Sequence, residues 1–80
     1  MSIKETFSRN LRHMRTDARM SIQDVAAELD IEISRYRMWE SGTSLPRYEC
    51  LIAISQLFGI SIDCILTVNL AMVDLGKCKS

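Results

Sequence analysis

Four arginines near the start of the chain form its densest group of basic side chains. They recur at intervals of three or four residues: Arg9, Arg12, Arg15 and Arg19. On a helix that turns about 100° per residue, they spread along one arc of about 120°. A guanidinium group binds carboxylates or phosphates through a planar fork of N–H groups. Three interpretations therefore stay open: a solvated helix flank, a buried ion pair for one arginine, and phosphate contacts for others.

The thiol and imidazole side chains do not match a metal or disulfide site. Cys50, Cys64 and Cys78 are odd in number and widely spaced, and His13 is the one histidine. We therefore expect reduced thiols, with no metal and no cofactor. The sequence also has no recognisable nucleophile elbow and no glycine-rich phosphate loop, so an enzyme is not expected.

Length and charge limit what the chain can bind. Its 80 residues allow one domain with a small core, which dimerisation would help to stabilise. Ten basic and ten acidic side chains give a net charge of zero, so no global positive excess indicates a nucleic-acid partner. No signal peptide and no run of about 18 apolar residues occurs, so we expect a cytoplasmic protein without membrane contact.

Hydrophobic periodicity predicts an all-α fold of five short helices around one core, without a convincing strand. The predicted helices span residues 4–19, 21–29, 32–41, 47–58 and 62–67. Tyr36 and Trp39 are expected to anchor the third helix in the core. A segment at 67–75 that is unusually apolar for a terminus follows the last helix, and we expect it to dock on its own domain or on a second copy.

Short-range signals mark where the predicted helices begin and end. Ser21 and Asp24 have the spacing of a capping box, in which each side chain accepts from the other residue's amide. Asp30 is expected to adopt the left-handed conformation in the turn after the second helix. Gly42 and Gly59 are expected to end the third and fourth helices, because glycine adopts that conformation without a steric penalty.

Several segments, in this order and spacing, carry a resemblance to a known family: Val25-Ala26, Leu29, Ile31, Trp39-Glu40, Gly42, Pro46 and Phe58-Gly59-Ile60-Ser61-Ile62-Asp63. Over about residues 7–67 the chain resembles the lambda-repressor-like helix-turn-helix family, the Cro/C1 or Xre type of bacterial and phage regulators. The resemblance implies a five-helix DNA-binding domain at 1–67, with the helix-turn-helix at about 21–41 and a tail at 68–80. It also implies that the third helix lies in the DNA major groove.

The resemblance assigns roles to residues around the third helix. Arg15 and Glu40 match an ion pair that joins the first and third helices and does not touch DNA. The base-reading positions fall on Glu32, Ile33, Ser34, Arg37 and Met38. Arg37 is a candidate reader of guanine, and Ile33 can pack on a thymine methyl group. Ile33 and Met38 can equally form a protein-contact surface.

Phosphate contacts are implied around the same helix. The start of the second helix offers free backbone amides, which favour an anion, although Ile22 stands where the family commonly has glutamine. The loop after the third helix adds hydroxyl groups and an arginine. The candidates are Ser21, Ile22, Gln23, Arg35, Ser41, Thr43, Ser44 and Arg47.

These observations predict a sequence-specific transcriptional regulator that binds double-stranded DNA as a homodimer and acts as a repressor. The last helix and the tail are the expected dimer interface, and no small-molecule ligand is expected. A second hypothesis is a protein-interaction module on the same fold, such as an antitoxin or an antagonist of another regulator. The neutral net charge and the apolar or acidic residues at Glu32, Ile33 and Met38 favour this alternative.

Overall fold

A computed structural model describes residues 2–73 of the chain and shows five α-helices followed by one turn of 3-10 helix. The helices are α1 (Ile3–Asp17), α2 (Ile22–Glu28), α3 (Ile33–Glu40), α4 (Tyr48–Phe58) and α5 (Ile62–Thr67), and the 3-10 helix is Leu70–Met72. Within the described residues the all-α prediction is confirmed. None of the helices between residues 2 and 73 has the length and apolar character to span a membrane.

One face of each helix contributes to a single core. In α1, the side chains of Phe7, Leu11 and Met14 recur at the spacing of one helix face, and each is at most 2% exposed. The other buried apolar residues are Val25, Ala26, Tyr36, Trp39, Ile54, Ile60, Ile65 and Leu70. Because α1 packs against both α3 and α5, it connects the middle of the chain to the last α-helix.

The predicted capping signals are present in the structure. The Ser21 hydroxyl accepts from the Asp24 amide at 3.0 Å, and the Asp24 carboxylate accepts from the Ser21 amide at 2.9 Å. Asp30 has a φ of 55°, and Gly59, which ends α4, has a φ of 70°. These local interactions fix the start of α2 and the turn that leads into α3.

The predicted end of the first helix at Arg19 is wrong by two residues. The helix ends at Asp17, and Arg19 adopts the left-handed conformation with a φ of 59°. The Met20 amide then donates to the Arg15 carbonyl at 3.1 Å and so closes the turn. This conformation is expected at glycine, asparagine or aspartate. An arginine at position 19 therefore did not indicate that the helix ends before it.

The segment after α5 packs against α1 through a buried asparagine. Asn10 is 1% exposed, and its Nδ2 donates to the carbonyls of Ile65 at 2.7 Å and Val68 at 2.6 Å. Its Oδ1 accepts from the Leu70 amide at 3.1 Å, and the Leu70 side chain is fully buried. The division between a domain at 1–67 and a tail stays a prediction, and residues 74–80 lie outside the described residues.

Candidate nucleic-acid interface

The face of α3 that points away from the core collects most of the predicted base-reading residues. Ser34, Arg37 and Ser41 are exposed, and their i, i+3, i+7 spacing puts them within about 60° of one another around the helix. Ile33 and Met38 flank this row and are 38% and 45% exposed. The geometry offers one continuous surface with hydroxyl, guanidinium and apolar groups, a composition suited to the major groove.

Glu32 stands at the start of this face as the N-cap residue of α3. Its side chain is exposed and makes no capping hydrogen bond to the helix. A carboxylate in this position can accept a hydrogen bond from a cytosine amino group, and it repels phosphate. Glu32 therefore restricts which ligand groups the N-terminal end of α3 accepts.

Arg15 and Glu40 form a two-point ion pair between α1 and α3. Arg15 Nε lies 2.6 Å from Glu40 Oε2, and Arg15 Nη2 lies 3.1 Å from Glu40 Oε1. The side chains are only 15% and 6% exposed. The hydrogen bond to the Glu40 carboxylate raises the pKa of Arg15 further above its ordinary value. The pair is thus held inside the domain, away from the exposed face of α3.

Two further groups complete this ion pair. Arg15 Nη1 donates to the Met20 carbonyl at 3.1 Å, and the Tyr36 hydroxyl donates to Glu40 Oε2 at 2.5 Å. Burial, followed by the bond to Glu40, raises the pKa of Tyr36 well above its usual range, so the phenol remains a hydrogen-bond donor. Because Met20 precedes α2, the network fixes α1, the start of α2 and α3 relative to one another.

Arg35 lies on the other side of α3 and stacks on an aromatic ring. Its guanidinium carbon is 5.9 Å from the centroid of the Trp39 ring, a distance at which a cation is attracted to the face of an indole. The Trp39 ring itself packs edge-on against Tyr36 at a centroid distance of 6.1 Å. The stack places the positive charge of Arg35 at the flank of α3 rather than on the row formed by Ser34 and Arg37.

The loop after α3 carries two joined hydroxyl groups. Ser41 Oγ lies 2.8 Å from Thr43 Oγ1 and also donates to the Met38 carbonyl at 3.0 Å. Gly42 separates the two residues with a φ of 80°, a conformation that reverses the chain over the end of the helix. The loop therefore presents its side-chain oxygens next to the C-terminal end of the exposed face.

The remaining phosphate candidates occupy different environments. Ser44 is half-buried in the loop, whereas Arg47 is exposed and forms the N-cap of α4. At the start of α2, Ser21 and Gln23 are exposed, but the Ile22 side chain packs against the core. Ile22 can therefore contact an anion through its backbone amide but not through its side chain. The bond from the Ser21 amide lowers the pKa of the Asp24 carboxyl, which keeps a negative charge at this helix start.

A cleft that the sequence did not predict lies beside this surface. It separates α1 from the C-terminal end of α3, holds about 480 Å³, and is lined by Glu5, Ser8, Arg9, Arg12, Glu40 and Ser41. The arc of arginines was the available signal, but it did not show which of them face α3. Residues 2–73 contain no group of three histidine, cysteine, aspartate or glutamate side chains arranged to hold a metal ion.

Comparisons with known proteins add an independent line of observation. A family model described as a helix-turn-helix domain matches residues 8–70. An uncharacterized HTH-type transcriptional regulator of Bacillus subtilis (strain 168), YqaE, is 35% identical over 60 residues, which cover 75% of this chain and 52% of that protein. The HTH-type transcriptional activator BcrR of Enterococcus faecalis is 31% identical over 61 residues, covering 76% of this chain and 30% of BcrR.

The matched regions are parts of longer relatives. The chain spans about half the length of YqaE and less than a third of the length of BcrR. No solved structure is significantly similar to it. The comparisons thus concern the helical domain described above.

Proposed function

Because this chain belongs to the helix-turn-helix domain family, we propose that it is a transcriptional regulator that recognises a specific DNA sequence with α3 in the major groove. The observation that carries the proposal is the exposed row of Ser34, Arg37 and Ser41 on a helix that the Arg15–Glu40 pair holds in place. We further propose the lambda-repressor-like, Cro/C1 or Xre type.

Base recognition is assigned to five residues at the exposed face of α3 and at its N-cap. Arg37 is proposed to read a guanine through two hydrogen bonds, and Ile33 to pack on a thymine methyl group. Ser34 can bond to a base edge, while Glu32 accepts from a cytosine amino group and Met38 contributes apolar contact. The resulting half-site contains a guanine, a thymine and a cytosine at positions that these side chains reach.

Phosphate contacts are assigned to residues that surround this face. Beyond the C-terminal end of α3, the phosphates of one DNA strand are contacted by Ser41, Thr43, Ser44 and Arg47. Arg35, held against Trp39, contacts the backbone at the flank of the helix. Ser21, Gln23 and the backbone of Ile22 complete the proposed set at the start of α2.

We propose a homodimer that occupies two half-sites about one DNA turn apart and represses by covering a promoter. The zero net charge supports this, since a neutral domain has little non-specific attraction for DNA and gains from a second set of base contacts. Two exposed residues at the end of the described chain, Met72 at 79% and Val73 at 42%, are available for such an interface. The two relatives are bacterial, and bacterial DNA lies in the cytoplasm, where we place this protein.

A second function is supported by the apolar part of the same face. Ile33 and Met38 remain 38% and 45% exposed, and exposed apolar groups on one face can bind a protein. The alternative is therefore an interaction module, such as an antitoxin or an antagonist of another regulator. It predicts that the chain binds a protein partner and has no affinity for any DNA. The substitutions Ile33→Ser and Met38→Ser should weaken the binding to that partner.

The test starts with selection of bound sequences from a random DNA pool, followed by titrations at about 50 and 200 mM salt. Affinity for the selected duplex should fall steeply over this range. Arg37→Ala should weaken binding by about 1–3 kcal/mol and relax the preference at one base position. Arg47→Ala is the matched control, because loss of a phosphate contact weakens all sequences alike. Absence of binding at low salt to any member of the pool would refute the proposal.

A further inference from the structure

The cleft between α1 and α3 lies next to the end of the proposed base-reading face. Ser41 belongs both to the row that contains Arg37 and to the lining of the cleft. Ser8 of α1 forms part of the opposite wall. It lies close to Gly42 in the loop after α3, because a Cβ atom added to Gly42 would be 3.5 Å from the Ser8 Oγ. The cleft therefore continues the exposed face of α3 towards the first half of α1.

The charges around the cleft add up to a local positive excess in a neutral protein. Glu40 is already neutralised by Arg15. Arg12 Nε lies 3.8 Å from Glu40 Oε1, yet its side chain is 71% exposed, so its guanidinium reaches into solvent. Arg9 is also exposed and faces the same cleft, whereas Glu5 supplies the remaining negative charge. The lining itself holds two guanidinium groups and two carboxylates, and Arg15, which pairs with Glu40 from outside the lining, brings the local sum to one positive charge.

We propose that this cleft binds a phosphate of the DNA backbone, with Arg9 and Arg12 as its cationic contacts. The inference rests on the proposed function, since it needs a duplex lying on α3. A phosphodiester fits the site because the opening is polar and shallow, carries two exposed guanidinium groups and continues directly from Ser41. The contact fixes α1 on the DNA strand and carries no information about the base sequence.

Glu5 gives the proposal a second, opposite consequence. Its carboxylate lies in the lining beside the two arginines and repels an approaching phosphate. Replacing it with glutamine removes the repulsion and leaves the shape of the side chain nearly unchanged. Arg9→Gln and Arg12→Gln should therefore weaken DNA binding, and Glu5→Gln should strengthen it.

The experiment measures binding of the full chain to its selected duplex and to a random duplex over a range of salt concentrations. In the double variant Arg9→Gln, Arg12→Gln, both affinities should fall by the same factor. The slope of log K against log salt should become shallower by about 1, because one phosphate contact contributes about 0.9 to it. The double variant with lysine at both positions should keep the slope. Lys4→Gln, an exposed charge on α1 outside the cleft, is the control.

Duplexes with a single neutral methylphosphonate locate the contact. One position should weaken wild-type binding and have no effect on the double variant, as expected for two groups that share one interaction. If the double variant is unstable by circular dichroism, Arg9→Gln alone carries the same test with a smaller change in slope. Equal behaviour of Arg9→Gln and Lys4→Gln, with wild-type binding intact, would overturn this inference. Failure of the wild-type protein to bind any DNA would instead overturn the proposed function.

Discussion

Replacing Asn10 with alanine tests whether the chain beyond α5 is an integral part of the domain. The asparagine is 1% exposed and makes three hydrogen bonds, to the carbonyls of Ile65 and Val68 and from the amide of Leu70. Alanine removes all three bonds at once. It leaves two carbonyls and one amide facing a small cavity that has no partner for them.

The expected loss of stability can be obtained in two ways. If the backbone stays in place, three hydrogen bonds worth about 1 kcal/mol each give a loss of about 3 kcal/mol. If the segment after Val68 detaches instead, hydration satisfies the polar groups, but exposure of the buried Leu70 side chain costs about 1.5–3 kcal/mol. The two routes together give about 1.5–3 kcal/mol, out of about 4–12 kcal/mol for a domain of this size. The unfolding temperature should fall by about 6–24 °C.

Thermal unfolding followed by circular dichroism measures this loss, and hydrogen exchange separates the two routes. If the segment detaches, the Leu70 amide exchanges much faster than the core amides. If it stays, the protection of this amide falls together with that of the core. Asn69→Ala is the matched control, because Asn69 is exposed and its side chain makes no cap hydrogen bond. A loss for Asn10→Ala as small as that of the control would refute the reasoning.

Three other predictions concern the groups that hold α3 and α2. Glu40→Gln should destabilise the domain by about 3 kcal/mol in urea unfolding, because it leaves the largely buried Arg15 guanidinium without its counter-charge. Tyr36→Phe should cost about 1–2 kcal/mol in the same assay, since it removes one donor to that carboxylate and keeps the ring. The lowered pKa of Asp24 stabilises the fold above the unfolded-state pKa of about 3.9, and this stability is lost as the pH falls through the folded-state value. Asp24→Asn should therefore reduce the fall in unfolding temperature between neutral and acid pH.

Each of these variants has a control of the same chemistry on the surface. Glu28→Gln, Tyr48→Phe and Asp17→Asn change exposed side chains that make no hydrogen bond within residues 2–73. The reasoning fails for any variant that loses no more stability than its control. For Asp24→Asn, the comparison with Asp17→Asn is made at both ends of the pH range.

Local chemistry made several helix ends and turns predictable. The capping box at Ser21 and Asp24, the left-handed turn at Asp30 and the end of α4 at Gly59 all depend on residues within a few positions of one another. Sequence patterns describe such short-range interactions well. By contrast, Arg19 takes the left-handed conformation only because the turn between α1 and α2 requires it.

Long-range polar contacts were not predictable in the same way. The partners of Asn10 lie 55 to 60 residues away, and no spacing rule connects them. A hint existed, because Asn10 lies about 40° from Met14 around α1 and so borders the apolar stripe. The family resemblance pointed to the pair of Arg15 and Glu40, but the hydroxyl of Tyr36 and the carbonyl of Met20 that complete it depend on the packing of three helices.

The network that fixes α3 has a consequence for how such a protein changes its target during evolution. The network uses Tyr36 and Glu40 on the inner side of the helix, whereas the side chains of Ser34 and Arg37 form no hydrogen bond with any other part of residues 2–73. Substitutions at Ser34 and Arg37 therefore cost the fold little free energy. With α3 reading DNA as proposed, new sequence preferences can arise at these two positions by single substitutions, while the residues that hold the helix stay under separate selection for stability.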